Sequence, residues 1–108
     1  MQFLVIAYDK NDDQALHRRK AVREQHLEAA RRSIEAGTML IGGAILNDAG
    51  EMVGSMTVVS FPDRAGLDAW LRDVPYMRHG IWDRVEVRPY HTAVIGGQPQ
   101  GPVLASRS

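Results

Sequence analysis

Hydrophobic and polar residues along the chain recur with the period of a strand in some stretches and of a helix in others. Residues 2–8 form a continuous apolar run rich in β-forming side chains, which predicts a central strand with both faces covered. Residues 15–36 form a long amphipathic segment, which predicts a helix that stops at Gly37. The other predicted elements are, in order, strands over 38–46 and 51–61, a helix after Pro62, and a last strand over 81–95.

The predicted order β-α-β-β-α-β is that of the ferredoxin-like fold, in which two helices cover one face of a four-stranded antiparallel sheet. The first and third strands are apolar on both faces, so a monomer would expose a large apolar patch. We therefore expect a homodimer in which two sheets face each other as a dimeric α+β barrel. Residues 1–95 form the predicted domain, and the Gly- and Pro-rich residues 96–108 are expected to be a flexible tail or arm.

Composition narrows the classes of function. Lys plus Arg and Asp plus Glu both number 13, and this balance argues against nucleic acid as a partner. The chain has no cysteine, which excludes disulfides, thiolate metal sites and a cysteine nucleophile. No stretch approaches the ~20 apolar residues that span a bilayer, and the start lacks the basic, apolar pattern of a signal peptide. We expect a cytoplasmic protein without a membrane partner.

His26 and Arg23 are the first candidates for chemistry. They are three residues apart and therefore share one side of the predicted helix, with Arg23 inside its apolar arc and His26 at the flank. The ordinary pKa of an imidazole is close to neutrality, so His26 could act as a general base or acid. Arg23 could bind an anion or oxyanion. The alternative is that His26 is a core histidine with satisfied hydrogen bonds.

Four further residues are candidate partners of this pair. Asp73 precedes the turn at Pro75 and could orient His26, while Ser55 and Tyr76 could supply hydrogen bonds to a substrate. Gly43 belongs to a glycine pair in the second strand, a pattern typical of a bulge or of close approach by a ligand. The four histidines have no metal-ligand spacing, so we expect neither a metal nor another cofactor.

Several of these residues together resemble the YciI-like (YCII-related) family. The resemblance extends from Gln2 to about Ile95 and is carried by Arg23-x-x-His26-Leu27, Gly42-Gly43, Gly54-Ser55, Pro75-Tyr76, Gly80-Ile81 and Val87-x-Pro89-Tyr90. It implies a ferredoxin-like dimeric α+β barrel with an active site around a His-Asp pair, of which His26 is the histidine. Most members of the family have no known function, and one known activity is dehydrochlorination of a chlorinated hydroxyquinol.

The chain departs from the family pattern at the acid. In the family, an aspartate usually stands directly before the proline, whereas this chain has Val74 there and Asp73 one residue earlier. Our leading hypothesis is a cofactor-free enzyme in which His26 catalyses elimination or isomerisation of a small polar substrate, such as a phenolic compound. The alternative is a non-catalytic module of the same fold that binds a small metabolite or a protein partner.

Overall fold

The computed structural model describes residues 1–101. Its main part is a four-stranded antiparallel sheet with helices on one face. The elements are β1 (Gln2–Asp9), α1 (Ala15–Glu35), β2 (Met39–Leu46), β3 (Met52–Ser60), α2 (Arg64–Asp73), α3 (Pro75–Arg78), β4 (Trp82–Tyr90), β5 (Val94–Ile95) and β6 (Gln98–Pro99). The sheet order is β2-β3-β1-β4, with every neighbouring pair antiparallel. The predicted ferredoxin-like fold is therefore confirmed.

Alternation of side chains along β1 determines which face of the sheet the helices cover. Phe3, Val5 and Ala7 are buried and pack with residues of the helices, including Leu67 of α2. The residues between them are only half-buried, because successive side chains of a strand point to opposite faces. The core therefore lies between β1 and the helices, and the second face of the sheet carries less cover.

Two regions differ from the sequence prediction. The segment after α2 was predicted as a turn, but it forms the short helix α3, which Pro75 opens because proline fits the first helical position. The last strand of the sheet ends at Tyr90 rather than Ile95, and the backbone N–H of Thr92 donates instead to the side chain of Gln2. Of the predicted tail, β6 pairs with β5 in a small separate sheet, and residues 102–108 lie outside the described residues.

Part of the apolar face of helix α1 is not packed against the sheet. Leu27 and Ile34 belong to its predicted apolar arc, yet they are 49% and 59% exposed, while Val22 is buried. Opposite them, β2 carries the small residues Gly42, Gly43 and Ala44, which leave space under the helix. A cavity remains between α1 and β2 as a result. None of the helices within residues 1–101 is long and apolar enough to cross a membrane.

Candidate active site

The space between α1 and the sheet is a cavity of about 410 Å³. This volume lies in the range of small-molecule sites, about 300–1,000 Å³. Both tryptophans of the chain, Trp70 and Trp82, contribute to its wall. Its apolar lining comes mainly from Leu27, Ala30, Ile34, Met39, Ala44, Met52 and Met56, and its polar lining from Arg19, Arg23, His26, Arg31, Ser55, Thr57 and Tyr76.

His26 lies against two aromatic rings in this cavity. Its imidazole stacks on the Tyr76 ring, with 3.7 Å between centroids and 6° between planes, and meets the edge of Trp82 at 5.8 Å. Within residues 1–101, Nδ1 is buried and has no hydrogen-bond partner, whereas Nε2 is not buried in this way. The ring is therefore held by aromatic packing, and Nε2 is the nitrogen that a bound molecule can reach.

The surroundings of His26 favour the neutral imidazole. Burial, and to a lesser extent the nearby charge of Arg19, lower the pKa of His26 from 6.5 to about 4. Burial also raises the pKa of the Tyr76 phenol above its ordinary value, with Arg19 and Arg23 opposing the shift. Near neutral pH the site therefore combines an uncharged imidazole with a protonated phenol.

Arg19 is a buried cation of α1 that contacts two strands of the sheet. It is 3% exposed, and its Nη1 donates to both carboxylate oxygens of Asp9, at 2.8 and 2.9 Å. Its Nη2 donates to the hydroxyl of Ser55 at 2.8 Å, and its guanidinium carbon lies 4.7 Å from the centre of the Tyr76 ring. This network connects α1, β1 and β3 directly beneath His26.

Five of the six predicted site residues line the cavity: Arg23, His26, Gly43, Ser55 and Tyr76. Arg23 has no ion-pair partner in the described part of the chain, whereas Arg31 pairs with Glu28 and Glu35. Among the described arginines that line the cavity, Arg23 is therefore the one whose guanidinium remains available to an anionic ligand.

The sixth predicted residue, Asp73, is not brought to His26. It ends α2 and lines a second cavity, to which residues of both α1 and α2 contribute, together with Arg32 and Arg78. Its backbone carbonyl accepts a hydrogen bond from Arg78 Nε at 3.1 Å. Val74, which stands at the family's acid position, is 6% exposed and packs in the cluster that contains Tyr76 and Trp82. The structure thus supplies no carboxylate partner for His26 at this turn.

The glycines of the two glycine-containing motifs differ in their surroundings. A Cβ on Gly54 would collide with the carbonyl oxygen of Ala7, so glycine is required where β3 approaches β1 beside Ser55. A Cβ on Gly42 would meet Thr57 Oγ1 at 3.4 Å, on the cavity side of β2, whereas a Cβ on Gly43 would meet nothing within 4 Å. Gly43 lines the cavity through its backbone because glycine has no side chain, and Gly42 leaves space beside Thr57 and Met39.

Sequence reasoning missed Arg19 and Asp9. A signal for Arg19 was present, because it stands seven residues before His26, which is two turns along the same face of a helix. Asp9 had no comparable signal, since it lies in a run of polar loop residues after the first strand. Its partnership with Arg19 depends on how α1 docks against β1.

The fold and the cavity place the chain among small ferredoxin-like domains that have a pocket between the sheet and a helix. Residues 1–91 match the model of the YCII-related domain, and the chain belongs to this family. It is 29% identical over 96 residues to Protein YciI of Escherichia coli O6:H1, covering 83% of this chain and 96% of that protein. The Protein YciI of Shigella flexneri is equally similar.

Two solved structures have the same fold at low sequence identity. The 5-chloro-2-hydroxyhydroquinone dehydrochlorinase of Burkholderia phenoliruptrix AC1100, in complex with 2,5-dihydroxybenzoquinone, has a TM-score of 0.73 at 19% identity. The similarity covers 84% of this chain and 94% of the dehydrochlorinase chain. A muconolactone isomerase has a TM-score of 0.59 at 20% identity, covering 93% of this chain and all of its own.

Proposed function

We propose that the protein binds a small oxygenated, largely apolar molecule in the cavity under α1, and that His26 exchanges a proton with it in an elimination or isomerisation. The observation that carries this proposal is the position of the His26 ring, packed on Tyr76 at the wall of a cavity of about 410 Å³. A neutral imidazole can accept a proton, and a group of this kind typically contributes ~10²–10⁴-fold to a rate.

The lining of the cavity supports an aromatic or phenolic ligand. The methionines and aliphatic residues form an apolar wall, and His26, Ser55 and Tyr76 form a polar cluster around Arg19. A ring with two or three oxygen substituents matches this distribution, because few polar groups have to be desolvated. Arg23, which has no ion-pair partner in residues 1–101, can bind a phenolate or carboxylate.

The names of the similar structures agree with this reaction class. One is a dehydrochlorinase, which performs an elimination, and the other is an isomerase. Their identities of 19% and 20% relate the fold, so the activity of this chain rests on its own residues. The orienting role predicted for Asp73 has no support in the geometry, because Asp73 lines the other cavity. This proposal requires no metal or other cofactor. The absence of a cofactor stays a prediction.

A non-catalytic binding module is the second candidate, and one observation favours it. Nδ1 of His26 has no partner among the described residues, so nothing fixes which ring nitrogen carries the proton. A general base normally has its second nitrogen oriented by a carboxylate or carbonyl. In this alternative the cavity binds the same class of ligand, and His26 contributes a hydrogen bond but does not catalyse a reaction of the ligand.

We further propose that the protein acts as a homodimer joined through the second face of its sheet. Leu4 and Ile6 of β1 and Ile41 of β2 lie on this face, where Leu4 and Ile6 are half-buried and Ile41 is 48% exposed. An apolar face of this kind is normally covered in a soluble protein. The cytoplasmic location expected from the sequence stays a prediction.

The test combines ligand binding with turnover. We would titrate the protein with 2,5-dihydroxybenzoquinone, hydroxyquinols and small keto acids, and follow the indole N–H signals of Trp70 and Trp82 by NMR. Binding should shift both signals, since both side chains line the cavity. For a compound that is converted, His26→Gln should lower the rate by about 100-fold or more.

The matched control is His17→Gln, because His17 lies on the same helix but is exposed and does not line the cavity. It should leave both binding and turnover unchanged. Binding without conversion, with His26→Gln affecting affinity alone, would favour the binding module. No shift of either indole signal with any compound would remove the basis for a ligand in this cavity.

A further inference from the structure

The hydroxyl group of Ser55 has an unusual position beneath the cavity. Its oxygen accepts a hydrogen bond from Arg19 Nη2 at 2.8 Å, and Ser55 is 8% exposed. Within residues 1–101 the hydroxyl donates to no acceptor, although hydroxyl groups both accept and donate. Ser55 also lines the cavity, so its proton is available to a molecule bound there.

Asp9 and Arg19 fix the hydroxyl in this orientation. The two oxygens of Asp9 hold one end of the guanidinium, and the side chains of the pair are 3% and 4% exposed. The guanidinium is planar and rigid, so its other nitrogen has little freedom to move away from Ser55. A hydroxyl that accepts from a cation is polarised and becomes a stronger donor.

The charges of Asp9 and Arg19 determine what kind of contact Ser55 offers to a ligand. Asp9 neutralises Arg19, so the pair adds a directed donor to the cavity rather than a net positive charge. Arg23 is the free guanidinium of the site in the described part of the chain. The two arginines of this helix face therefore differ in role: Arg23 can contact a ligand directly, and Arg19 acts through Ser55.

We propose that Asp9 and Arg19 are positioning residues that fix Ser55 as a hydrogen-bond donor to an oxygen atom of the ligand. The site then selects molecules with a carbonyl, phenolate or carboxylate oxygen at this end of the cavity, and rejects analogues that have a hydrogen or a methyl group there. The inference rests on the proposed ligand-binding function and deepens it, because it names the ligand atom that the network of Asp9, Arg19 and Ser55 recognises.

A structural role alone makes a different prediction. If the pair served only to join α1 to β1, its loss would lower the melting temperature and leave the affinity of the folded protein unchanged. Removing a single partner would also leave the other charge buried and unpaired, which destabilises proteins strongly. The informative variant is therefore the double replacement Asp9→Leu with Arg19→Met, which removes both charges and keeps apolar volume.

The experiment measures the dissociation constant of 2,5-dihydroxybenzoquinone by calorimetry, at a temperature where every variant is folded. Ser55→Ala should weaken binding by about 10- to 100-fold, the effect expected for a charge-assisted hydrogen bond. Ser55→Thr keeps the hydroxyl and should stay within about threefold of the parent protein, since the donor is retained and the added methyl group borders the cavity. The double replacement should weaken binding as much as Ser55→Ala, and adding Ser55→Ala to it should cause no further loss.

Each outcome separates the network from the wider proposal. If the parent protein binds but Ser55→Ala or the double replacement binds equally well, the positioning role is wrong and the ligand cavity stands. Additive losses for Ser55→Ala and the double replacement would also overturn the positioning role, because independent groups add. If the parent protein binds none of the oxygenated compounds, the proposed function fails and this inference fails with it.

Discussion

The imidazole of His26 stacks on the phenol ring of Tyr76 with 3.7 Å between the ring centroids. Tyr76 is itself fixed, because it is 2% exposed and packs with Trp82 and Val74 in the core. The Arg19 guanidinium lies over the same phenol ring at 4.7 Å, so His26 and Arg19 both contact Tyr76. Tyr76 thereby sets the position of His26, the candidate proton-transfer group, relative to Arg19, the buried cation that opposes protonation of His26.

The lowered pKa of His26 predicts a loss of stability in mild acid. Its pKa is about 4 in the folded protein and 6.5 as the ordinary value, so the unfolded chain binds more protons between these limits. The free energy of unfolding should therefore fall as the pH drops from 6.5 to about 4, and this contribution is fully present above 6.5. We expect a loss of about 1–2 kcal/mol, allowing for the partial exposure of the ring.

Urea unfolding over this pH range checks the effect. His26→Gln should lose the part of the pH dependence that belongs to the imidazole, because glutamine does not titrate. His17→Gln removes an exposed histidine from the same helix and should keep the pH dependence of the parent protein. Parallel curves for the parent and His26→Gln would show that the imidazole is not depressed in the folded protein.

The floor of the cavity offers a direct way to block it. Gly42 leaves space beside Thr57 and Met39, and a larger side chain there has to enter the cavity. Gly42→Leu should therefore weaken ligand binding by more than about tenfold, since a leucine occupies volume that the ligand needs. Gly43→Ala is the matched control, because its Cβ meets nothing within 4 Å. Calorimetry or the indole NMR signals measure both; equal affinities for the two variants would place the ligand elsewhere.

The fold was largely predictable because its signals are local. The apolar run of β1, the helical period of α1 and the glycine stop at Gly37 each depend on a short stretch of sequence. Those signals gave the correct element order and the position of His26 on the face that lines the cavity. The short helix α3 was missed because a single turn that begins at proline resembles a simple turn.

The interior of the site was less predictable because it depends on how elements dock. Arg23 and Arg19 lie on one helix face, and only the packing of α1 against β1 makes Arg19 the buried member of the two. The prediction for Asp73 relied on its closeness in sequence to the family's acid position. In the structure Asp73 ends α2 and lines the other cavity.

The proposed homodimer can be tested through one exposed residue. Ile41 is 48% exposed and stands opposite Val58 on the second face of the sheet. Ile41→Asp should convert a dimer into a monomer, because an unpaired carboxylate would be buried in the interface. It should cost the single chain little stability. Val94→Asp changes a residue that is 62% exposed on β5 and should leave the dimer intact. Light scattering that gives a monomer mass for the parent protein would contradict the proposal.

The final prediction concerns the position where the family has its acid. Val74 packs in the same cluster as Tyr76 and Trp82, the two rings that His26 contacts, and Nδ1 of His26 is buried there without a described partner. Val74→Asp should raise the pKa of His26 above about 4, because a carboxylate stabilises the charged imidazole. It should also destabilise the fold by about 1–3 kcal/mol through burial of a polar group. If the parent protein converts a substrate, this variant should convert it faster.

NMR titration of the His26 ring protons measures the change directly. Val74→Asn tests the polar burial without the charge and should leave the pKa of His26 low. Asp73→Asn should have no effect, because Asp73 lines the second cavity. In the double variant Val74→Asp with His26→Gln, the added carboxylate should destabilise more than it does in the presence of His26, since its partner is gone. An unchanged His26 titration in Val74→Asp would mean that a carboxylate at this turn does not reach the imidazole in this chain.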